Sequence, residues 1–383
     1  IFIVTLFNVT IHIIRGGIEM KKISILILSL MLIIGTGTAA AEGFSAKSFG
    51  MGGAFTGLAD DVSAVLYNPA GVTQSGVVGI QATGGFSLTD YNKFVDALEI
   101  AEQINDSSLT VTDLFDEFPS GYGNQLKGFG FIGANLKSLA LSLNSEANFT
   151  LDKSENTASV SNDTTREGAI TLGNTLLSPP MNIGALSYGV NLKMISVKHS
   201  EYSLNKDTAQ KTIITSTGNS YGLDVGALAK VTDILTVGAQ IDNLWSDDYK
   251  LEGTEKVYEY DGTWDQVNSD SYGEQGDKLK RTMRVGASVQ IPVIGATLAA
   301  DIENFPLMTE GNRDMIYHYG IEKNIIFGGL SLRAGSYTKK DADNFYTVGM
   351  GLNLLNAHMD IGVGSSDGFK DGITGVVSGN VKF

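Results

Sequence analysis

Leu186-Ser187-Tyr188-Gly189-Val190-Asn191-Leu192-Lys193-Met194 is the stretch on which the reading of this chain turns. Every second residue is large and apolar, and the residues between are serine, glycine, asparagine and lysine. A period of two places one set of side chains on each face of a β-strand. The same alternation runs through Met283, Val285, Ala287, Val289 and Ile291 against Arg284, Gly286, Ser288 and Gln290. It returns in Leu235–Ile241 and in Tyr346–Leu354. Fourteen such segments lie between residues 77 and 383. Their connections alternate in length. Short ones fall at 135–138, 178–182, 231–234, 292–294, near 325 and near 356; long polar ones fall at 89–125, 151–165, 201–212, 250–280, 306–314, 338–343 and 365–371. Tight turns at one end and long loops at the other predict an all-β protein: a fourteen-stranded antiparallel transmembrane β-barrel of the bacterial outer-membrane type. Most segments reach the roughly 9–11 residues that a tilted membrane strand requires. A soluble β-sandwich would also bury one apolar face, but it would not sort its connections in this way.

Composition agrees and removes other classes. The 383 residues include 46 glycines and only 6 prolines, and hydrophobic residues make up 43%, which excludes both collagen-like and wholly disordered chains. With no cysteine, disulfide scaffolds, thiolate zinc sites and cysteine nucleophiles are excluded. A net charge of −15 disfavours nucleic acid, whose phosphates need a basic face. Residues 1–41 read as an upstream extension and secretory signal. Met20 is the expected start, Lys21 and Lys22 form a charged region, Ile23–Ile34 is apolar, and Ala39-Ala40-Ala41 offers a cleavage site.

Residues 42–75 have another texture, with Gly50, Gly52 and Gly53, then Asp60-Asp61, then Asn68-Pro69-Ala70-Gly71. No strand precedes these glycines and no Lys-Ser/Thr follows, so they do not form a phosphate loop. Small residues and short helical turns suit a segment that folds inside a barrel lumen. The Gly-x-Gly-x-Ala, Ala-Asp-Asp and Asn-Pro-Ala-Gly run resembles the N-terminal plug of the outer-membrane long-chain fatty acid and aromatic hydrocarbon transporters. Related barrels, including the lipoprotein-shuttling component of type IX secretion, share this look. The resemblance implies a fourteen-stranded barrel over 76–383, a plug over 42–75 and release of ligand through an opening in the wall.

Candidate site residues follow from these readings. Gly50, Gly52, Gly53, Asp60, Asp61, Asn68, Pro69 and Ala70 form the plug motif. Lys193, Arg284, Asp301 and Arg333 stand opposite apolar neighbours and are expected to point into the lumen, since Lys or Arg facing mid-bilayer lipid costs about 2–4 kcal/mol. With them go Asp224, Asp242 and Glu303, and Asp60 and Asp61 are expected to pair with Arg284 or Arg333. In the long connection 89–125, Phe94, Leu98, Leu114, Phe115 and Phe118 form an expected apolar capture groove. His199, His318 and His358 lie on separate segments with no metal spacing, and are expected at the rim or in solvent. The sequence therefore predicts no catalytic residues, no cofactor and no metal. It predicts a monomer that meets a hydrophobic small-molecule ligand, outer-membrane lipid and, through its terminal Phe383, the barrel-assembly machinery. The alternative is a barrel that serves as a binding or scaffold component of a secretion or envelope system.

Overall fold

The computed structural model describes residues 45–90, 93, 121–177, 184–260, 264–275, 279–340, 342–366, 368–369 and 372–383. Period-two alternation becomes a continuous antiparallel ladder. Its strands in chain order are β1 (Val78–Leu88), β2 (Tyr122–Leu136), β3 (Leu139–Lys153), β4 (Thr157–Leu177), β5 (Ala185–Asn205), β6 (Gln210–Lys230), β7 (Leu235–Ser246) and β8 (Lys250–Tyr260). They continue as β9 (Trp264–Gln275), β10 (Thr282–Ile291), β11 (Ala296–Glu303), β12 (Ile316–Ile325), β13 (Leu330–Lys339), β14 (Phe345–Leu354), β15 (Ala357–Ser365) and β16 (Ile373–Lys382). Each strand from β1 to β7 pairs with the next, β7 passes directly to β10, and β16 returns to β1. The closed ring therefore has fourteen strands. The remaining two, β8 and β9, form a hairpin that pairs with residues 210–217 of β6 and stands outside the ring.

The outer face of the ring is an apolar belt. Ile132, Leu143, Ile170, Leu192, Val348 and Ile361 are exposed, and their strand neighbours are buried on the other face. Exposed aliphatic side chains over a whole barrel circumference are a surface solvated by lipid.

Three of the expected loops prove to be strand. β4, β5 and β6 each run 21 residues, about twice a membrane crossing. The connections expected at 151–165 and 201–212 shrink to turns around 154–156 and 206–209, and 250–280 holds the β8–β9 hairpin. These outer halves are wetted on both faces, so the apolar alternation vanishes while the backbone ladder continues. The ring ladder loses its register at two described places: Leu176 is skipped in β4–β5 between Thr175 and Leu177, and a wider break lies in β6–β7. The β6–β7 register breaks between Leu223 and Val225, which pair with Trp245 and Ile241, so Asp224 alone stands opposite Asp242, Asn243 and Leu244. Asn243 adopts a left-handed φ of 51°, which asparagine tolerates, and donates its backbone N–H to Asp224 Oδ1 at 2.8 Å.

Candidate functional site

Inside the ring lies the segment 45–75. It contains a short helix α1 (Ala46–Gly50), a short helix α2 (Ala64–Tyr67) and a 3₁₀ turn, Pro69–Gln74. Phe49, Met51, Phe55, Val65, Tyr67 and Val72 are all buried, and they pack on Phe129, Phe131, Ala299 and Val376 of the wall or on one another, while Ala59, Ala64 and Ala70 pack on Leu228. Wall glycines permit this depth. Gly189 faces Gly226 across β5–β6, and Gly320 faces Gly335 across β12–β13. A Cβ at these positions would overlap the backbone of Pro69 or Met51-Gly52, or the side chain of Asn68. The glycine-rich inner face is thus a bearing surface for main chain.

Lumen-facing polar side chains hold the segment on nearly every side. Asp301 Oδ2 accepts from the N–H groups of Phe55 at 2.9 Å and Thr56 at 2.7 Å. Asn191 Nδ2 donates to the Val65 carbonyl at 2.7 Å, Ser288 Oγ to the Gly57 carbonyl at 2.8 Å and His318 Nδ1 to the Gly52 carbonyl at 2.8 Å. Thr347 Oγ1 accepts from Gly52 N–H at 3.1 Å, and Ser378 Oγ accepts from Ala46 N–H at 2.7 Å. Lys382, next to the end of the chain, donates to the carbonyls of Asp60 at 2.9 Å and Gln74 at 2.7 Å. Buried backbone groups of an irregular segment need such partners, because water cannot reach them. Asn68, fully buried, closes the segment on itself and on the wall. Its Nδ2 donates to the Thr56 carbonyl at 3.0 Å and the Ala227 carbonyl at 2.9 Å, and its Oδ1 accepts from Ala70 N–H at 3.1 Å.

The ion pairs are arranged differently from the sequence expectation. Asp60 pairs with Lys47 of its own segment at 2.7 Å, not with Arg284 or Arg333. Arg333 is held by Glu322 and Asp360 at 2.6 Å each, and Arg284 by Glu303. Glu322 and Glu303 stand in register with these arginines on the adjacent strand, and Asp360 lies two strands away on β15; all three are nearer than the carboxylates of the lumenal segment. Burial alone would pull the Lys47 ammonium down, but Asp60 outweighs it and holds the group above its ordinary value. Asp61 accepts from Ser63 N–H and Oγ and from Ser45 Oγ. Burial, followed by the charge of Asp60, pushes its carboxyl up to about 6.

On the long-loop side of the segment is a chamber of about 470 Å³. Val65 and Leu66 form its floor, Ile195 and Val197 part of its wall, and Asp224, Asp242 and Asn243 place it against the interrupted β6–β7 ladder. Lys193 projects into this wall between Asp224 at 2.8 Å and Asp242 at 2.7 Å, with Glu167 at 3.8 Å.

Solved structures share this architecture. The P. putida toluene transporter TodX superposes with a TM-score of 0.63 at 12% identity, covering 90% of this chain and 99% of its own. The Ralstonia pickettii toluene transporter TbuX gives 0.63 at 12%, covering 90% and 99%. A Pseudomonas aeruginosa FadL homologue gives 0.58 at 13%, covering 91% and 100%. The chain has the fold of the TodX and FadL barrels. No protein-family model and no curated protein matches the sequence.

Within this TodX-type barrel the motif residues Gly50, Gly52, Gly53, Asp60, Asp61, Asn68, Pro69 and Ala70 all lie in the lumenal segment, and Lys193, Arg284, Asp301 and Arg333 all face inward and are buried. Phe94, Leu98, Leu114, Phe115 and Phe118 lie outside the described residues. His318 overturns the expectation of a rim histidine: it is 1% exposed, bonded to Gly52 and 3.3 Å from Glu303. Asn191, Ser288, Thr347 and Ser378 were not singled out by sequence reasoning. Their only signal is a polar residue in the middle of an apolar alternation.

Proposed function

We propose that this protein is a monomeric bacterial outer-membrane barrel that admits hydrophobic small molecules, fatty acids or aromatic hydrocarbons, and that segment 45–75 is its plug. The observation that carries this reading is the pairing of a bonded plug with a chamber on its loop side. A straight path through the lumen would have to break the bonds from Asp301, Asn191, Ser288, His318 and Ser378 together. The chamber borders the wider of the two described register breaks in the ring, where three residues of β7 stand opposite one of β6. An apolar molecule that settles over Val65 and Leu66 has a shorter way out between β6 and β7 into lipid, where its transfer is favourable. The charged residues around Lys193 keep that corner of the wall open by preventing a regular ladder.

The test is uptake of toluene or a long-chain fatty acid into proteoliposomes. Ile195→Trp or Val197→Trp fills the chamber without touching the plug's hydrogen bonds, and uptake should fall severalfold while circular dichroism reports an unchanged barrel. Unchanged uptake in both would remove the chamber from the path. Wild-type uptake no faster than protein-free liposomes would favour the scaffold reading.

A further inference from the structure

The two ends of the barrel differ in chemistry beyond loop length. At the loop end the described tips are mostly polar, as in Glu155-Asn156 and Asp207-Thr208, with Leu307 and Phe369 as exposed apolar exceptions. At the turn end they are bare aliphatic or aromatic. Val293 in the β10–β11 turn is 95% exposed, Leu355 in the β14–β15 turn 99%, Ile326 in the β12–β13 turn 69% and the terminal Phe383 65%. Val231 and Leu136 repeat the pattern at two further turns. Water would penalise so many apolar tips on one rim. They are continuous with the lipid-facing belt, through Leu136 and Leu139 to Leu141 and Leu143.

Charge changes sign at the same rim. In a chain of net charge −15, the turn end carries exposed Lys137 in the β2–β3 turn and exposed, outward-facing Lys323 near the end of β12. Asp233 is the one acidic residue among the described turn residues. Lys323 also donates to the Ile294 carbonyl, which fixes it beside the apolar β10–β11 tip.

We propose that the turn end is embedded in the phospholipid leaflet facing the periplasm, with its apolar tips below the headgroups and Lys137 and Lys323 binding anionic headgroups. The inference rests on the membrane-barrel reading. Apolar anchors flanked by lysines are the combination that an anionic interface retains, since the ammonium groups reach the phosphates while their stems stay in the apolar layer. Each lysine contributes about a fivefold preference for anionic lipid. The plug then sits at leaflet level.

The experiment uses the full chain with Trp245 and Trp264 replaced by Phe, in nanodiscs of phosphatidylglycerol and phosphatidylethanolamine brominated on their acyl chains. Single tryptophans are placed by Val293→Trp, Leu355→Trp, the belt control Leu192→Trp and the loop control Asp207→Trp. Both tip variants should be quenched and blue-shifted like the belt control, and the loop control should not. Quenching at Leu192→Trp alone overturns the proposal and leaves the barrel intact; no quenching even there sinks the membrane reading. Tips shielded from both bromolipid and aqueous iodide would assign the rim to a second copy and also overturn it. Spin-labelled phosphatidylglycerol should be enriched around the wild type, and Lys→Ala at 137 and 323 together should bring it to parity with phosphatidylcholine. Enrichment unchanged by that double variant would refute the headgroup contact.

Discussion

Gly57→Ala tests the plug without altering any strand. Gly57 is pressed against β10, where an added Cβ would stand 2.8, 2.9 and 3.0 Å from the Cα, carbonyl carbon and nitrogen of Ala287. These are backbone atoms of a paired strand and cannot swing aside. Ordinary contact begins near 3.4 Å, so the plug must withdraw by about 0.6 Å. The Ser288 Oγ bond to the Gly57 carbonyl, now 2.8 Å, then stretches beyond useful length, and the neighbouring bond from Thr56 N–H to Asp301 at 2.7 Å is strained. One neutral bond lost and one charge-assisted bond weakened come to about 2 kcal/mol, near the middle of the overpacking range. That corresponds to a rise of about 30-fold in the displaced fraction of plug. Single-channel recording in planar bilayers should show a corresponding increase in time spent open, and limited proteolysis should cut residues 45–75 faster. Gly379→Ala is the matched control, since a Cβ there meets nothing within 4 Å. An intact barrel by circular dichroism with an unchanged open fraction would refute the view that the wall clamps the plug by backbone contact.

Asn68→Ala removes three hydrogen bonds and leaves the Thr56 carbonyl and the Ala70 N–H without their side-chain partner. It should weaken plug seating by about 1–3 kcal/mol, raise leakage of small polar solutes and leave heat-modifiable barrel unchanged on gels. The Asp61 carboxyl, pushed up to about 6 from an ordinary 3.8, binds protons more readily in the seated plug than in a released one. Seating should therefore be strongest below about pH 4 and weaken as pH rises through 6, a trend in conductance that Asp61→Asn should abolish. Because the chain has no cysteine, single substitutions report topology cleanly. Asn156→Cys in the β3–β4 turn should react with an impermeant maleimide on intact cells, and Asp233→Cys in the β6–β7 turn should not; equal labelling would reverse or remove the assigned orientation. Lys382→Ala should free the plug end near Asp60 and Gln74, read as faster proteolysis there with the barrel retained.

The sequence by itself determined the ring. Alternation such as Leu186–Met194 is a local property: each residue's face follows from its parity, and lipid on one side with lumen on the other writes that parity into residue type. Strand number and inward charges followed from it, while the plug motif rested on its resemblance to the plugs of hydrocarbon and fatty acid transporters. Parity stops being written where water wets both faces, and so the outer ends of β3–β6 that fall in 151–165 and 201–212, and the β8–β9 hairpin, are expected from sequence as loops. It also says which face a charge takes but not which partner it meets. Pairing of Arg333 with Glu322 and Asp360, and of Asp60 with Lys47, is set by strand register and by distances between residues far apart in the chain. The role of His318 was invisible for the same reason, since only the seated plug brings the Gly52 carbonyl to its ring. The inner glycines were legible as residues that are neither apolar nor charged. That they are absent side chains, making room for the main chain of Met51, Thr56 and Pro69, could be decided only once the barrel had closed around that segment.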